Sequence, residues 1–172
     1  MSTSQETLEH ELQDLMSAES QLIAVVPKWK GSASSPELSE AFRASLAQTK
    51  EHKKRLQEVG TLLNVDLNGE SCQAMEGLVG EVQSLLDNQQ LSAARDADLV
   101  AAAQRVEQQQ ITAYGSVIAL AKELGHEEAV VILETTLQEE VRTEKSLAQL
   151  AETTILPRAE EESSAPFSNR AN

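Results

Sequence analysis

Basic residues are scarce in this chain. Lys and Arg total 14 against 28 Asp and Glu, a net charge of −14, and a surface of that sign repels phosphate backbones, which argues against nucleic acid as a partner. Cysteine is scarcer still: the single one, Cys72, has no internal partner for a disulfide, which suits a reducing compartment, and the cytoplasm is the expected location. Long apolar runs are missing. "LIAVV" is among the longest, far short of a bilayer span, and "MSTSQETLEHELQD" lacks the basic and then apolar regions of a secretory signal, so no membrane partner is expected. Strand-like alternation is rare, and there is no Gly-rich phosphate loop, Cys-based zinc pattern or nucleophile elbow.

What remains is helix. The 172 residues, 40% of them hydrophobic, suffice for one domain with a sizeable core. Helix formers dominate from about Gln5 to Gly31, with Pro27 marking a kink near the end. "GSASSP" then offers Ser35 as an N-cap and Pro36 at the first position of a second helix, expected to run to about Gly60. "NVDLNGES" reads as a loop, Cys72 to about Asp87 as a connector helix, and about Ala93 to Leu124 as a third long helix capped by Gly125. A fourth runs from about Glu127 to Thr154, and Pro157 stops it. The expected organisation is a helical bundle over residues 1–156 and a disordered polar tail over 157–172. Short turns make the first and second long helices, and the third and fourth, antiparallel neighbours. The roughly 30 residues between the second and third allow a crossover, the ferritin-type connection of an all-α four-helix bundle.

Core seams traced at alternating steps of four and three each contain a polar interruption. Glu19 interrupts Leu8, Leu12, Leu15, Leu22 and Val26; His52 interrupts Leu38, Phe42, Ser45, Thr49, Leu56 and Val59. In the third long helix Glu107 and Gln110 fall on two adjacent seams, and in the fourth Glu140 points inward, with Glu144 one turn away on a neighbouring flank. Glu107 precedes Gly125 by 18 residues and Glu140 follows it by 15, so at about 1.5 Å per residue they share a layer. Glu19 and His52 match less closely about the first turn, by roughly 7 to 8 Å on the same geometry. A lone seam Glu snorkels and a lone core His finds a hydrogen bond. A layer of several carboxylates is different, because without a cation it repels itself and suffers desolvation, whereas a divalent metal makes it favourable. Glutamate and histidine on facing helices are the ligand pattern of di-iron and di-manganese bundles. Elsewhere His10 and His126 read as surface groups and Cys72 as a packed residue. Tyr114 is either a packed aromatic with a bonded hydroxyl or a redox-active neighbour of Glu107.

The segments "MSAESQLIAVVPK", "SSPELSEAFRASLAQTKEHKKRL", "CQAMEGL", "RDADLVAAAQRVEQQQITAYGS" and "TLQEEVRTEKSLAQLAE" make the chain resemble the YciE/YciF family of ferritin-like bacterial stress proteins over about residues 5 to 155. The resemblance implies a five-helix ferritin-like fold, a role in stress response, a dinuclear iron or manganese centre and a homodimer. It assigns Glu19, His52, Glu107 and Glu140 to the metal site, with Glu144 where relatives often carry an acid. It also exposes departures. Gln48 stands where relatives commonly have Glu, and "VEQQQ" replaces "VEHYE", so that Gln108 and Gln110 stand for a His and a second Glu. A neutral amide is the poorer ligand, so the implied site is weakened, and a metal-free structural or protein-interaction module is the alternative.

Overall fold

The computed structural model describes residues 3–165, and every regular element among them is helical. Helix α1 spans Ser4–Ser32 and begins in a reciprocal cap: the Thr3 hydroxyl accepts from the Glu6 amide at 3.2 Å while the Glu6 carboxylate accepts from the Thr3 amide at 2.7 Å. It continues through Pro27 to Ser32. Helix α2, Pro36–Leu63, starts where expected, with the Ser35 hydroxyl accepting from the Leu38 amide, and ends at Asn64 in the left-handed conformation (φ 54°). Helix α3, Gln73–Asn88, is the short connector, and α4, Ala93–Glu123, is the longest element. Gly125 at φ 75° turns the chain into α5, Glu127–Leu150. Cys72 is buried at the start of α3, where its amide donates to the Ser17 hydroxyl and its carbonyl accepts from Gln21.

Pro157 does not stop the helix. A π-helical turn, Ala151–Ile155, follows α5 and leads straight into α6, Leu156–Ser164. The Leu156 amide reaches back five residues to the Ala151 carbonyl. Such a widened turn lets the chain pass a proline that has no N–H and would otherwise crowd the carbonyl four residues earlier. The continuation is held in place: Glu162 accepts from the Ala93 amide at 2.7 Å, capping α4, and Arg158 lies 3.6 Å from Glu37. The tail expected from residue 157 is therefore helical as far as Ser164, and its part beyond residue 165 lies outside the described residues.

Helix α1 packs along α2 and α4, and α5 along α2 and α4, while α3 lies across α1 and α4. The apolar interior divides in two. One cluster gathers Leu22, Val26, Trp29, Phe42, Met75, Leu99 and Leu147; the other gathers Leu8, Leu12, Leu15, Leu56, Tyr114, Val117 and Leu133. Between them lie the buried polar residues Glu19, His52, Gln110 and Glu140. No helix among the described residues is long and apolar enough to cross a membrane.

The turn between α1 and α2 is tied to the start of α4 by Asp96. Its buried carboxylate accepts from the Ser34 amide (2.9 Å), the Ser34 hydroxyl (2.5 Å) and the Ser35 amide (2.7 Å). Neighbouring Arg95, also buried, donates to the Ser32 and Gln89 carbonyls. Asp96→Ala strands two backbone amides and a hydroxyl, so it should destabilise the protein by about 2–4 kcal/mol. Urea denaturation of the wild type and the variant measures this.

Candidate metal centre

The polar layer draws on four helices, each presenting its residue from a seam that is otherwise uncharged. Glu19 on α1 sits between Leu15 and Leu22, and His52 on α2 between Thr49 and Leu56. Helix α4 contributes Glu107, Gln110 and Tyr114, and α5 contributes Thr136, Glu139 and Glu140. Glu19 and His52 are almost wholly excluded from solvent, at 0% and 1% exposure, and Glu107 and Glu140 nearly so, at 7% and 5%. All four residues expected to point inward do so.

Their side chains converge on the imidazole. His52 Nδ1 lies 3.2 Å from Glu140 Oε1 and 3.7 Å from Glu19 Oε1. Glu19, His52 and Glu140 each offer one ligand atom, and the three atoms lie within 4.8 Å of one another. Glu107 joins through Glu140, to which it is hydrogen-bonded. Glu144 is half-buried and lines a surface groove with Gln104, Arg105 and Gln108; its charge reaches Glu107, but it is not one of the three grouped ligands. His10 is exposed and His126 half-buried.

Two glutamines behave differently. Gln110 is fully buried in the layer, and its amide favours the ionised form of Glu19, yet neither its Oε1 nor its Nε2 has a hydrogen-bond partner at normal geometry. Gln48 is engaged instead by Thr143, whose hydroxyl donates to Gln48 Oε1 at 2.7 Å. Tyr114 is a packed aromatic with a bonded hydroxyl: it donates to Glu19 Oε1 at 2.6 Å, and its ring stands edge-on to His52 at 6.4 Å.

The sequence seams did not single out Glu139 or Arg55. Glu139 Oε2 lies 2.9 Å from His52 Nε2, and both Glu139 oxygens are taken by the Arg55 guanidinium at 2.6 and 3.0 Å. Both residues are only partly buried, on the flank of their helices, where an apolar seam carries no signal. The available clue was spacing: Arg55 follows His52 by three residues, one helical turn, and Glu139 adjoins Glu140.

Burial sets the electrostatics. Loss of hydration raises Glu19 to a pKa of about 7, opposed by His52 and the Tyr114 hydroxyl. Glu140 is likewise raised to about 7 by burial, with Glu19 and Glu139 adding to the rise and the Glu107 hydrogen bond opposing it. Burial lifts Glu107 well above the usual carboxylate range, helped by the Glu140 charge and by the hydrogen bond between the two. Arg55 holds Glu139 below the usual carboxylate range.

The donor set fits a divalent cation. Glu19 Oε2, His52 Nδ1, Glu107 Oε2 and both polar atoms of Gln110 are buried without a hydrogen-bond partner. Five stranded polar atoms in one layer are costly, and four of them, three oxygens and the imidazole nitrogen, are donors suited to iron or manganese.

Comparison with known proteins is consistent along most of the chain. A family model described as a domain of unknown function, DUF892, matches residues 3–160. Protein YciF of Escherichia coli strain K12 is 37% identical over 161 residues, covering 93% of this chain and 97% of the relative. The crystal structure of the E. coli stress protein YciF superposes with a TM-score of 0.87 at 36% identity, over 91% of this chain and 99% of that one. YcfI from Rhodopseudomonas palustris gives 0.82 at 34% identity, over 86% and 94%.

The raised carboxylates fix how stability depends on pH in the absence of metal. A carboxylate lifted from 4.5 to about 7 by folding contributes stability that is complete below pH 4.5 and is lost as the pH rises through about 7. Glu139, held low, titrates outside that window. In excess chelator the melting temperature should therefore fall by roughly 5 °C or more between pH 5 and pH 8. Glu19→Gln, which cannot titrate, should flatten that dependence in thermal melts.

Proposed function

The chain belongs to the DUF892 family and is YciF-like, and on that footing we propose that it is a ferritin-like stress-response protein holding iron or manganese in its core. The convergence of Glu19, His52 and Glu140, with stranded polar atoms around them, carries this reading. The packing of α1, α2, α4 and α5 along one another, with α3 crossing between the two pairs, supports the ferritin-like four-helix arrangement. Glu19, His52 through Nδ1 and Glu140 would hold the metal, and Glu107 would join them on releasing its proton. The metal would supply one-electron chemistry toward oxidants or serve as stored cargo. The acidic sequence with its single cysteine fits a cytoplasmic protein, and the resemblance to the YciE/YciF family supports a homodimer.

One observation favours a second reading, a metal-free structural or interaction module. Gln110 occupies the layer where relatives carry an acid, and Gln48 is spent on Thr143. Protonated Glu19, Glu107 and Glu140 would then satisfy the core by hydrogen bonding alone.

Elemental analysis of protein purified without chelator separates the two. The metal reading expects up to about one iron or manganese per chain, because amides supply neither charge nor a bridging oxygen pair. Glu107→Leu should leave the chelated protein folded with little change in melting temperature, because relief of a desolvated carboxyl group is set against loss of its hydrogen bond to Glu140. In metal-loaded protein the same change should lower metal content and melting temperature together. No metal in the wild type, with melts unaffected by chelator, would leave the module reading.

The glutamines give a gain-of-function test. Gln48→Glu with Gln110→Glu should raise metal stoichiometry above about one per chain, and should lower the melting temperature of the chelated protein through like-charge repulsion. Elemental analysis and paired melts read both effects; a wild type that already holds two metals would overturn the expectation.

A further inference from the structure

We propose that Glu139, clamped by Arg55, is a positioning residue that fixes His52 as the Nε2–H tautomer and leaves Nδ1 bare toward Glu19 and Glu140. The consequence for metal rests on the reading above; the tautomer does not.

The imidazole has carboxylates on both sides, so its proton has a choice. On one side Glu139 Oε2 stands 2.9 Å from Nε2 at hydrogen-bonding geometry. On the other, Glu140 Oε1 is 3.2 Å from Nδ1 and Glu19 Oε1 is 3.7 Å away, and Nδ1 makes no hydrogen bond with either. The acceptors also differ in how they are held. Both Glu139 oxygens are taken by the Arg55 guanidinium, which fixes the carboxylate in line with Nε2, whereas neither Glu19 nor Glu140 meets Nδ1 at hydrogen-bonding geometry. The proton of a neutral imidazole settles toward the aligned acceptor, which is Glu139.

Arg55 does two things here. Its fork takes both oxygens of Glu139 and its Nη1 also reaches the Thr136 hydroxyl at 3.3 Å, so the carboxylate has one orientation. It also offsets the charge of Glu139, which therefore orients the ring without adding a further net negative charge beside the layer. The ring plane is held by the edge-on contact with Tyr114, whose hydroxyl is anchored on Glu19. The arrangement is pre-formed: the one lone pair His52 can offer a cation faces Glu19 and Glu140 before any cation arrives. A carboxylate holding the far nitrogen of a ligating histidine in this way raises its basicity and typically contributes 10–100-fold in metal affinity.

Nitrogen-15 correlation spectra of His52 in chelated protein at pH 8 report which nitrogen carries hydrogen, and Co2+ titration reports affinity. The wild type should show Nε2–H. Glu139→Leu should shift His52 to Nδ1–H or to a mixture of tautomers and weaken Co2+ binding roughly 10–100-fold. Glu139→Gln keeps an accepting oxygen and should keep the wild-type tautomer. Circular dichroism confirms that each variant is folded, and the wild-type spectrum tests the assignment even if Glu139→Leu does not fold. A wild-type His52 protonated on Nδ1 or on both nitrogens, or an unchanged tautomer in Glu139→Leu, would overturn the proposal. A tautomer that shifts as expected in proteins that take up no Co2+ would support the positioning role and overturn the metal reading alone.

Discussion

Everything in this molecule is arranged around the cost of removing carboxylates from water. Glu19, Glu107 and Glu140 lie in one layer with a single imidazole, and among the described residues no Lys or Arg side chain is buried between them. A buried carboxylate has three ways to avoid that cost: accept hydrogen bonds, keep a proton, or bind a cation. All three are prepared here. Tyr114 donates to Glu19, Glu107 is hydrogen-bonded to Glu140, and several polar atoms of the layer are left without a partner. The choice between proton and cation is accordingly an exchange at the same oxygens, and any metal uptake at neutral pH releases protons.

The surrounding helices hold this layer by interactions remote from it. Asp96 fastens the α1–α2 turn to the start of α4, so the helices carrying Glu19, His52 and Glu107 share one anchor at that end. The Glu162 cap on Ala93 adds a second from the C-terminal side. Positive charge near the layer is confined to its flank, where Arg55 engages Glu139 instead of the inner carboxylates. A cation on the inner side would compete with any metal; on the flank it steadies the ring.

The inward residues could be read from the sequence because each is a charged or imidazole interruption in a largely apolar seam of period near 3.5, most cleanly Glu19 between Leu15 and Leu22. The height mismatch expected between Glu19 and His52 closes to a 3.7 Å approach. Side chains lean toward the N-terminus of their own helix, which carries Glu19 away from the α1–α2 turn and His52 toward it. Glu139 and Arg55 escaped notice because pairing between half-exposed flanks of two helices leaves no periodic trace. Pro157 misled for another reason: its effect on a helix depends on whether the preceding turn can widen, and the Ala151–Ile155 segment does so. The resemblance to known stress proteins identified the family.

The polar layer also cuts the apolar interior into two clusters that meet only across it. Cooperative unfolding requires that the halves feel each other, and here the coupling passes through Glu19, His52, Gln110 and Glu140 as well as along the helix backbones. With protons in the layer, the coupling consists of hydrogen bonds, several of them incomplete. An ion joined to residues of α1, α2 and α5 would instead weld the two clusters into one folding unit. Ligand occupancy would then be reported far from the layer, in whether amides at the two ends of the molecule exchange with solvent as separate blocks or as one.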